Sequence, residues 1–277
     1  MGKLRKAILS NSIQDKRERG EIGSGILFLD SIDSTNLKAK ELAGKGCHSG
    51  MVVVADEQTA GRGRLGRDWY SPKGSGLWLS IILRPDLPPL DSPLLTVIAS
   101  LAVLEALQEL EEGLAAGGQQ GNKKLQIKWP NDILLGGKKL AGILTELSLS
   151  SKINYAVVGI GINVNQEKFP AELGSIATSL KREYKKEIDR LELFEKLILS
   201  FERYYSRLVN NEGSELIQEW KERMDITGRE VSIHDNERTY QGRVLDIGKL
   251  GELLLESEGE ILRFWAGDVS LRSAPEG

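Results

Sequence analysis

LQIKWPNDILLGGKKLAGILTEL, residues 125–147, reads as a strand, a Pro-Asn-Asp turn and a hairpin closed at Gly136-Gly137. A two-glycine turn predicts the register: Leu135 opposes Lys138, Leu134 opposes Lys139, and Asp132 opposes Ala141. Asp132 and Lys139 then share a face as diagonal neighbours, about 7–8 Å apart at the backbone, with room for a bound group between them. Lys139 also shares that face with Leu134 and Ala141, so its stem either snorkels over apolar surface or points into a cleft. Taken alone, a Lys138-Lys139 pair is more often an exposed, solubilising edge.

Working outward, MVVVADEQTA (51–60) and GLWLSIIL (76–83) are apolar, β-forming runs, and GRGRLGRDW (61–69) is a loop anchored between them. Arginine forks and backbone N–H groups on so flexible a loop can converge on an anion; a solvated turn is the competing reading. ILFLDSID (26–33) is a short strand, and Ser34-Thr35-Asn36 precedes the helical LKAKELA. Taken alone, that triplet is a helix cap, although hydroxyls and free N–H groups at a helix start can also hold a polar ligand.

PLLTVIASLAVLEAL (93–107), with Asp91-Ser92 as its start signal, meets a glutamate before membrane-spanning length and is a core helix. EGLAAGGQQGNK (112–123) reads as a loop. YAVVGIGINVN (155–165) is a further buried strand, and Asn163 near its end is either a turn former or an amide able to read a base edge. Residues 189–223 are helical in two segments broken at Asn210–Gly213, and Phe194, Phe201, Tyr204, Tyr205 and Trp220 lie on the helical stripe as core. After Asp225, short strands separated by turn residues predict a small all-β barrel or sandwich.

The 277 residues, 40% hydrophobic, suffice for a large domain and a small one. A net charge of −3 argues against overall attraction to nucleic acid or an anionic membrane, so basic character must be local. The single cysteine, Cys47, excludes an intramolecular disulfide, and His48 and His234 are too far apart for a zinc cluster. The N-terminus is charged and lacks a signal-peptide core, so a cytoplasmic location is expected.

Together, SIDSTN, EQTAGRGRLGRDWYSP, KWPNDILL, GKKLAGILTEL and GIGINVN resemble, in order and spacing, the biotin protein ligases, or biotin–acetyl-CoA-carboxylase ligases, over about residues 26–273. That resemblance implies an α/β (α+β) fold: a mixed sheet with helices, related to class II aminoacyl-tRNA synthetases, then a small SH3-like β-barrel. It implies a leader at 1–25, a catalytic domain at 26–224 and a barrel domain at 225–277. The implied activity uses ATP, with Mg²⁺, to convert biotin to biotinyl-5′-adenylate with release of pyrophosphate. The biotinyl group then passes to a lysine of a biotin carboxyl carrier domain.

By the same resemblance, Ser34, Thr35, Asn36 and Gln58 lie at the biotin head, whose ureido edge suits hydroxyl and amide partners. Arg62, Gly63 and Arg64 form a ligand loop that closes over the adenylate, with Arg67 structural or peripheral. Lys139 belongs beside the biotin carboxylate and the α-phosphate; Lys128 and Asp132 support phosphates, magnesium or the incoming lysine. Asn131 and Asn163 face the nucleotide, and Trp69 either packs on the adenine or closes the loop.

No metal ligand set is implied apart from Mg²⁺ arriving with ATP near Asp132. Members are often homodimers. Many bacterial members also carry an N-terminal helix-turn-helix domain, for which the residues before the first strand are too few, so DNA binding is not expected. Three alternatives stay open: the sister lipoate ligases and octanoyl transferases, for which Cys47 would have to act; a nucleic-acid-binding module; and an inactive scaffold.

Overall fold

The computed structural model describes residues 3–9, 21–116, 123–235 and 238–271. Seven strands form one mixed sheet: β1 (Gly25–Leu29), β2 (Met51–Ala55), β3 (Gly76–Leu83), β4 (Leu125–Lys128), β5 (Asp132–Leu135), β6 (Lys138–Leu149) and β7 (Ile153–Asn163). Their spatial order is β1-β2-β3-β7-β6-β5-β4, with β1 and β2 parallel and every other pair antiparallel.

Alternation along the strands builds two apolar layers. Val52 and Val54 face a large core with α3 (Leu94–Ala116), α5 (Arg190–Val209) and α6 (Gly213–Glu222). Val53, Ile82 and Val157 face α2 (Thr35–Gly44) through Ala39 and Ala43. α2 packs chiefly over β2, β3 and β7, and reaches β6 through Asn36 and Lys40. The same face of β7, β6 and β5 is left open, and it is the floor of a cleft.

α5 shows why the helical stripe was readable: Leu193, Leu197, Phe201, Tyr204 and Leu208 recur every three or four residues and are buried, and Asp189 caps the first turn by accepting from Leu191 N at 3.0 Å. The aromatics expected in the core are there, with Tyr205 half-buried and stacked on Phe201. Pro89–Leu114 is long and apolar enough to cross a membrane, but most of it is buried within this core.

Downstream, β8 (Glu230–Asp235), β9 (Arg238–Ile247), β10 (Leu253–Ser257), β11 (Glu260–Phe264) and β12 (Asp268–Leu271) form an antiparallel sheet in the order β11-β10-β9-β8-β12. Val231, Ile233, Val244, Leu253, Leu255 and Val269 fill its inner face, as a small SH3-like domain requires. This unit is fastened to the larger sheet: Trp129 Nε1 donates to Gly251 O at 2.9 Å, Lys221 pairs with Asp246 at 2.5 Å, and Arg67 pairs with Asp268.

Several sequence expectations shift. The leader is not wholly irregular, because α1 (Lys3–Leu9) packs on β1 and α5 and buries Leu4, and Ile22 is also fully buried; residues 10–20 lie outside the described residues. α3 continues through Ala116, into the loop expected at 112–123, because Leu107, Leu110 and Leu114 keep contributing to the core; residues 117–122 lie outside the described residues. β1 ends at Leu29, short of the expected residue 33, where the chain turns polar. A short α4 (Leu180–Tyr184), capped by Ser179, was not foreseen.

Candidate functional site

Every residue expected at the site lines one cleft of about 600 Å³: Ser34, Thr35, Asn36, Gln58, Arg62, Gly63, Arg64, Trp69, Lys128, Asn131, Asp132, Lys139 and Asn163. Its wall also carries five basic side chains, Arg62, Arg64, Arg67, Lys128 and Lys139, against three aspartates, Asp68, Asp132 and Asp268. The cleft is thus locally cationic in a chain that is acidic overall.

The β5–β6 hairpin sets its centre. Leu135 pairs with Lys138 and Leu134 with Lys139, as the glycine turn requires. A β-bulge then shifts the register, so that Asp132 faces Gly142 and Ile133 faces Ala141, correcting the predicted Asp132–Ala141 pair. The extra residue lets Leu140 and Ala141 both be buried and turns Gly142 rather than Ala141 to the cleft. The expected gap between Asp132 and Lys139 is also absent, because Lys139 Nζ reaches Asp132 Oδ1 at 2.8 Å. The pair is close but not aligned as a hydrogen bond, leaving Asp132 Oδ1 buried without a donor.

Lys139 Nζ also sits 5.1 Å from the centre of the Trp69 ring. The indole in turn lies on two glycines, since a Cβ at Gly142 would come within 3.0 Å of Trp69 Cζ3 and one at Gly161 within 2.5 Å of Trp69 Nε1. Trp69 therefore closes the arginine loop onto the sheet. That loop is folded tightly: Gly63 N donates to Arg67 O at 2.7 Å, Trp69 N donates to Gly61 O at 2.8 Å, and Leu65 adopts φ +56°.

Arg64 Nη1 donates to Asn131 Oδ1 at 2.8 Å, and Asn131 Nδ2 donates to Ile143 O at 2.6 Å. Burial pushes the Arg64 guanidinium below its ordinary value, opposed by Asp132 and Asp268, yet arginine remains cationic at any working pH. Arg62 is exposed, and neither it nor Lys128 makes an ion pair among the described residues. Arg67 is structural, tying the loop to β12 through Asp268.

Beside this charged region lies a neutral polar network. Gln58 Oε1 accepts from Thr35 N at 2.9 Å and from Thr35 Oγ1 at 3.0 Å, while Gln58 Nε2 donates to Ser71 Oγ at 2.8 Å. The buried Ser80 hydroxyl bridges Thr35 Oγ1 and Asn36 Oδ1 at 2.8 and 2.6 Å. Ser34 occupies the N-cap position of α2, but its side chain makes no cap hydrogen bond, so the plain capping reading of that triplet fails. Asn36 lies directly on Gly159, where a Cβ would be 2.1 Å from Asn36 Oδ1.

Sequence reasoning missed Ser80 and Glu146. Glu146 accepts from Asn36 Nδ2 at 3.0 Å and from Lys40 Nζ at 2.9 Å. Burial pushes its carboxyl up, and Lys40, Asn36 and Arg62 more than reverse this, leaving it below the ordinary range. Strand alternation places Ser80 on the face of Ile82 and could have flagged it. No local signal marks Asp268, which reaches the cleft from the distant small sheet. Among the described residues no group of three or more His, Cys, Asp or Glu could hold a metal ion.

Residues 28–163 match the biotin/lipoate A/B protein ligase family, and residues 226–272 match the biotin protein ligase C-terminal domain. The chain is 39% identical to the bifunctional ligase/repressor BirA of Bacillus subtilis, over 90% of this chain and 75% of that protein. It is 34% identical to the biotin–acetyl-CoA-carboxylase ligase of Paracoccus denitrificans, over 82% of this chain and 92% of that protein. Among solved structures, the biotin protein ligase of Aquifex aeolicus in complex with biotin and ATP superposes with a TM-score of 0.73 at 32% identity, covering 90% of this chain and 99% of that chain.

Proposed function

Because the chain belongs to the biotin/lipoate A/B protein ligase family, with biotin protein ligases as its relatives, we propose that this one cleft holds biotin and ATP side by side and joins them. The activity is that of a biotin–acetyl-CoA-carboxylase ligase: biotin is activated by ATP, then transferred to a carboxylase carrier protein. The observation that carries the residue assignment is the adjacency of a neutral polar network at Thr35, Asn36 and Gln58 to the cationic set of Arg62, Arg64, Lys128 and Lys139.

In this reading the ureido edge of biotin meets Ser34, Thr35, Asn36 and Gln58. Most of Asn36 is already engaged by the protein, so it acts chiefly by shaping the floor. The carboxylate of biotin enters between Lys139, Arg62 and Arg64 and attacks the α-phosphate, with pyrophosphate leaving. The Lys139 ammonium, now paired with Asp132, turns to the reacting oxygens, where charge builds in the transition state. Gly63 lets the loop backbone approach, Trp69 backs Lys139, and Asn131 holds Arg64 in place.

Lys128 and Asn163 contact the nucleotide. Mg²⁺ fits only as an ion carried by the triphosphate, since the cleft offers single carboxylates such as Asp132 and no cluster. In the second step the carrier lysine attacks the mixed anhydride and AMP leaves. Asp132 and Lys128 flank its approach.

The same reading divides the chain into domains at 26–224 and 225–277, for which the two separate sheets are the support; the expected leader at 1–25 has none from them, since Gly25 opens β1 and α1 packs on the larger unit. One cysteine and a net charge of −3 support a cytoplasmic location and the absence of DNA binding in this reading.

The test is biotin-dependent exchange of labelled pyrophosphate into ATP, with lipoate in parallel and no carrier added. Exchange with biotin alone is expected. Exchange with lipoate instead would move the chain to the sister branch, and exchange with neither would overturn the assignment.

A further inference from the structure

Three asparagines line the cleft, and two of them spend their amides on the protein. Asn36 Nδ2 donates to Leu144 O at 3.2 Å and to Glu146 Oε2 at 3.0 Å. Asn131 accepts from Arg64 and donates to Ile143 O. Asn163, at the end of β7 and 4% exposed, differs: its Oδ1 accepts from Gln166 Nε2 at 3.0 Å, while its Nδ2 has no partner among the described residues. An unpaired amino group that reaches the cleft from an otherwise buried side chain is placed to donate to an acceptor on a ligand.

Gln166 sets this polarity without lining the cleft. It is 3% exposed, so its side chain is enclosed by the protein, and its backbone is tied down where the carbonyl accepts from Ser179 Oγ, the N-cap of α4, at 2.6 Å. Its Oε1 is buried without a donor. Turning the Gln166 amide over would bury an unpaired N–H instead of an unpaired carbonyl, the rarer and costlier arrangement, and would turn Asn163 over with it.

We propose that Gln166 is a positioning residue for the nucleotide site: by donating to Asn163 Oδ1, it holds the Asn163 amino group toward the cleft, where it donates to an acceptor atom of bound ATP. The inference rests on the reading of this cleft as an ATP site. The acceptor is a ring nitrogen of the base or an oxygen of the phosphates or ribose, and both sources need the same donor.

The experiment measures KM for ATP, KM for biotin, kcat and melting temperature in biotin-dependent pyrophosphate exchange, using the intact chain and its Asn163→Ala, Asn163→Asp and Gln166→Met variants. Gln166→Met should raise KM for ATP about fivefold, the size of one ordinary hydrogen bond, and leave KM for biotin and kcat nearly unchanged. Asn163→Asp keeps an oxygen for Gln166 but turns a second oxygen to the cleft, so it should raise KM for ATP about tenfold or more and exceed Asn163→Ala.

A merely structural Gln166 would instead lower the melting temperature and raise both KM values. That outcome overturns the inference, as does an unchanged KM for ATP in Gln166→Met beside a raised one in Asn163→Ala. If Gln166→Met does not fold, the comparison of Asn163→Asp with Asn163→Ala decides, and equal or milder loss in the aspartate overturns the donor assignment. No exchange in the wild-type chain would overturn the proposed function and this inference with it.

Discussion

Lys139 Nζ stands 2.8 Å from Asp132 Oδ1, so the ammonium that this cleft holds for its ligand is already balanced by a carboxylate at the start of β5, two positions farther from the hairpin turn than Leu134, the residue that opposes Lys139. The pair lies at a mixed burial, with the aspartate more enclosed than the lysine. An incoming anion competes with Asp132 for Lys139, and only the part of the Lys139 interaction that is stronger in the transition state than in the ground state speeds the chemical step.

Lys139→Ala should therefore lower biotin-dependent pyrophosphate exchange by about 10²–10³-fold, the scale of losing one preorganised electrostatic contact, while biotin affinity falls much less. Steady-state exchange and equilibrium titration with biotin separate the two quantities. Near-normal turnover would remove Lys139 from the chemistry.

The arginine loop is fastened at three points: Trp69 on its two glycines, Arg64 on Asn131, and Arg67 on Asp268. Arg64→Gly should loosen retention of the adenylate and increase biotin on bystander lysines. Arg67→Ala should do so to a smaller extent, at a stability cost of no more than about 1 kcal/mol because that ion pair is largely exposed. Mass spectrometry of an added bystander protein reads both. Unchanged labelling with Arg64→Gly would show that the loop is not the lid.

Gly159 carries Asn36 so closely that even a methyl group would displace it. Gly159→Ala should destabilise the fold by about 1–3 kcal/mol and weaken biotin more than ATP, since Asn36 is linked to Ser80, Thr35 and Gln58. Calorimetric titration of each ligand checks the order. Equal weakening of both would detach Asn36 from the biotin side.

Glu111 on α3 accepts from the Tyr184 hydroxyl, and burial pushes its carboxyl up to about 7. The folded value lies above the unfolded one, so its favourable contribution is complete below pH 4.5 and is lost as the pH rises through about 7. The group is half-exposed, which reduces the effect to about 1 kcal/mol. Thermal melts at pH 5.5 and 8.5 should show a loss in the wild-type chain that Glu111→Gln diminishes. Identical pH slopes would remove Glu111 as the source.

Sequence alone determined what local rules govern. Period-two alternation set the strands and their faces, the 3.6-residue stripe separated α5 from α6 at Asn210–Gly213, and Gly136-Gly137 set the first two pairs of the hairpin. The ordered motifs mark residues that the fold gathers on the wall of one cleft. Tertiary structure decided the rest: the bulge that turns Gly142 to the cleft, the direct Asp132–Lys139 contact, Asn36 seated on Gly159, Asp268 arriving from the small sheet, and Gln166 orienting Asn163. Those contacts join residues whose separation in sequence bears no fixed relation to their separation in space. They arise only when packed elements leave no other room for a side chain or no other partner for a buried polar atom.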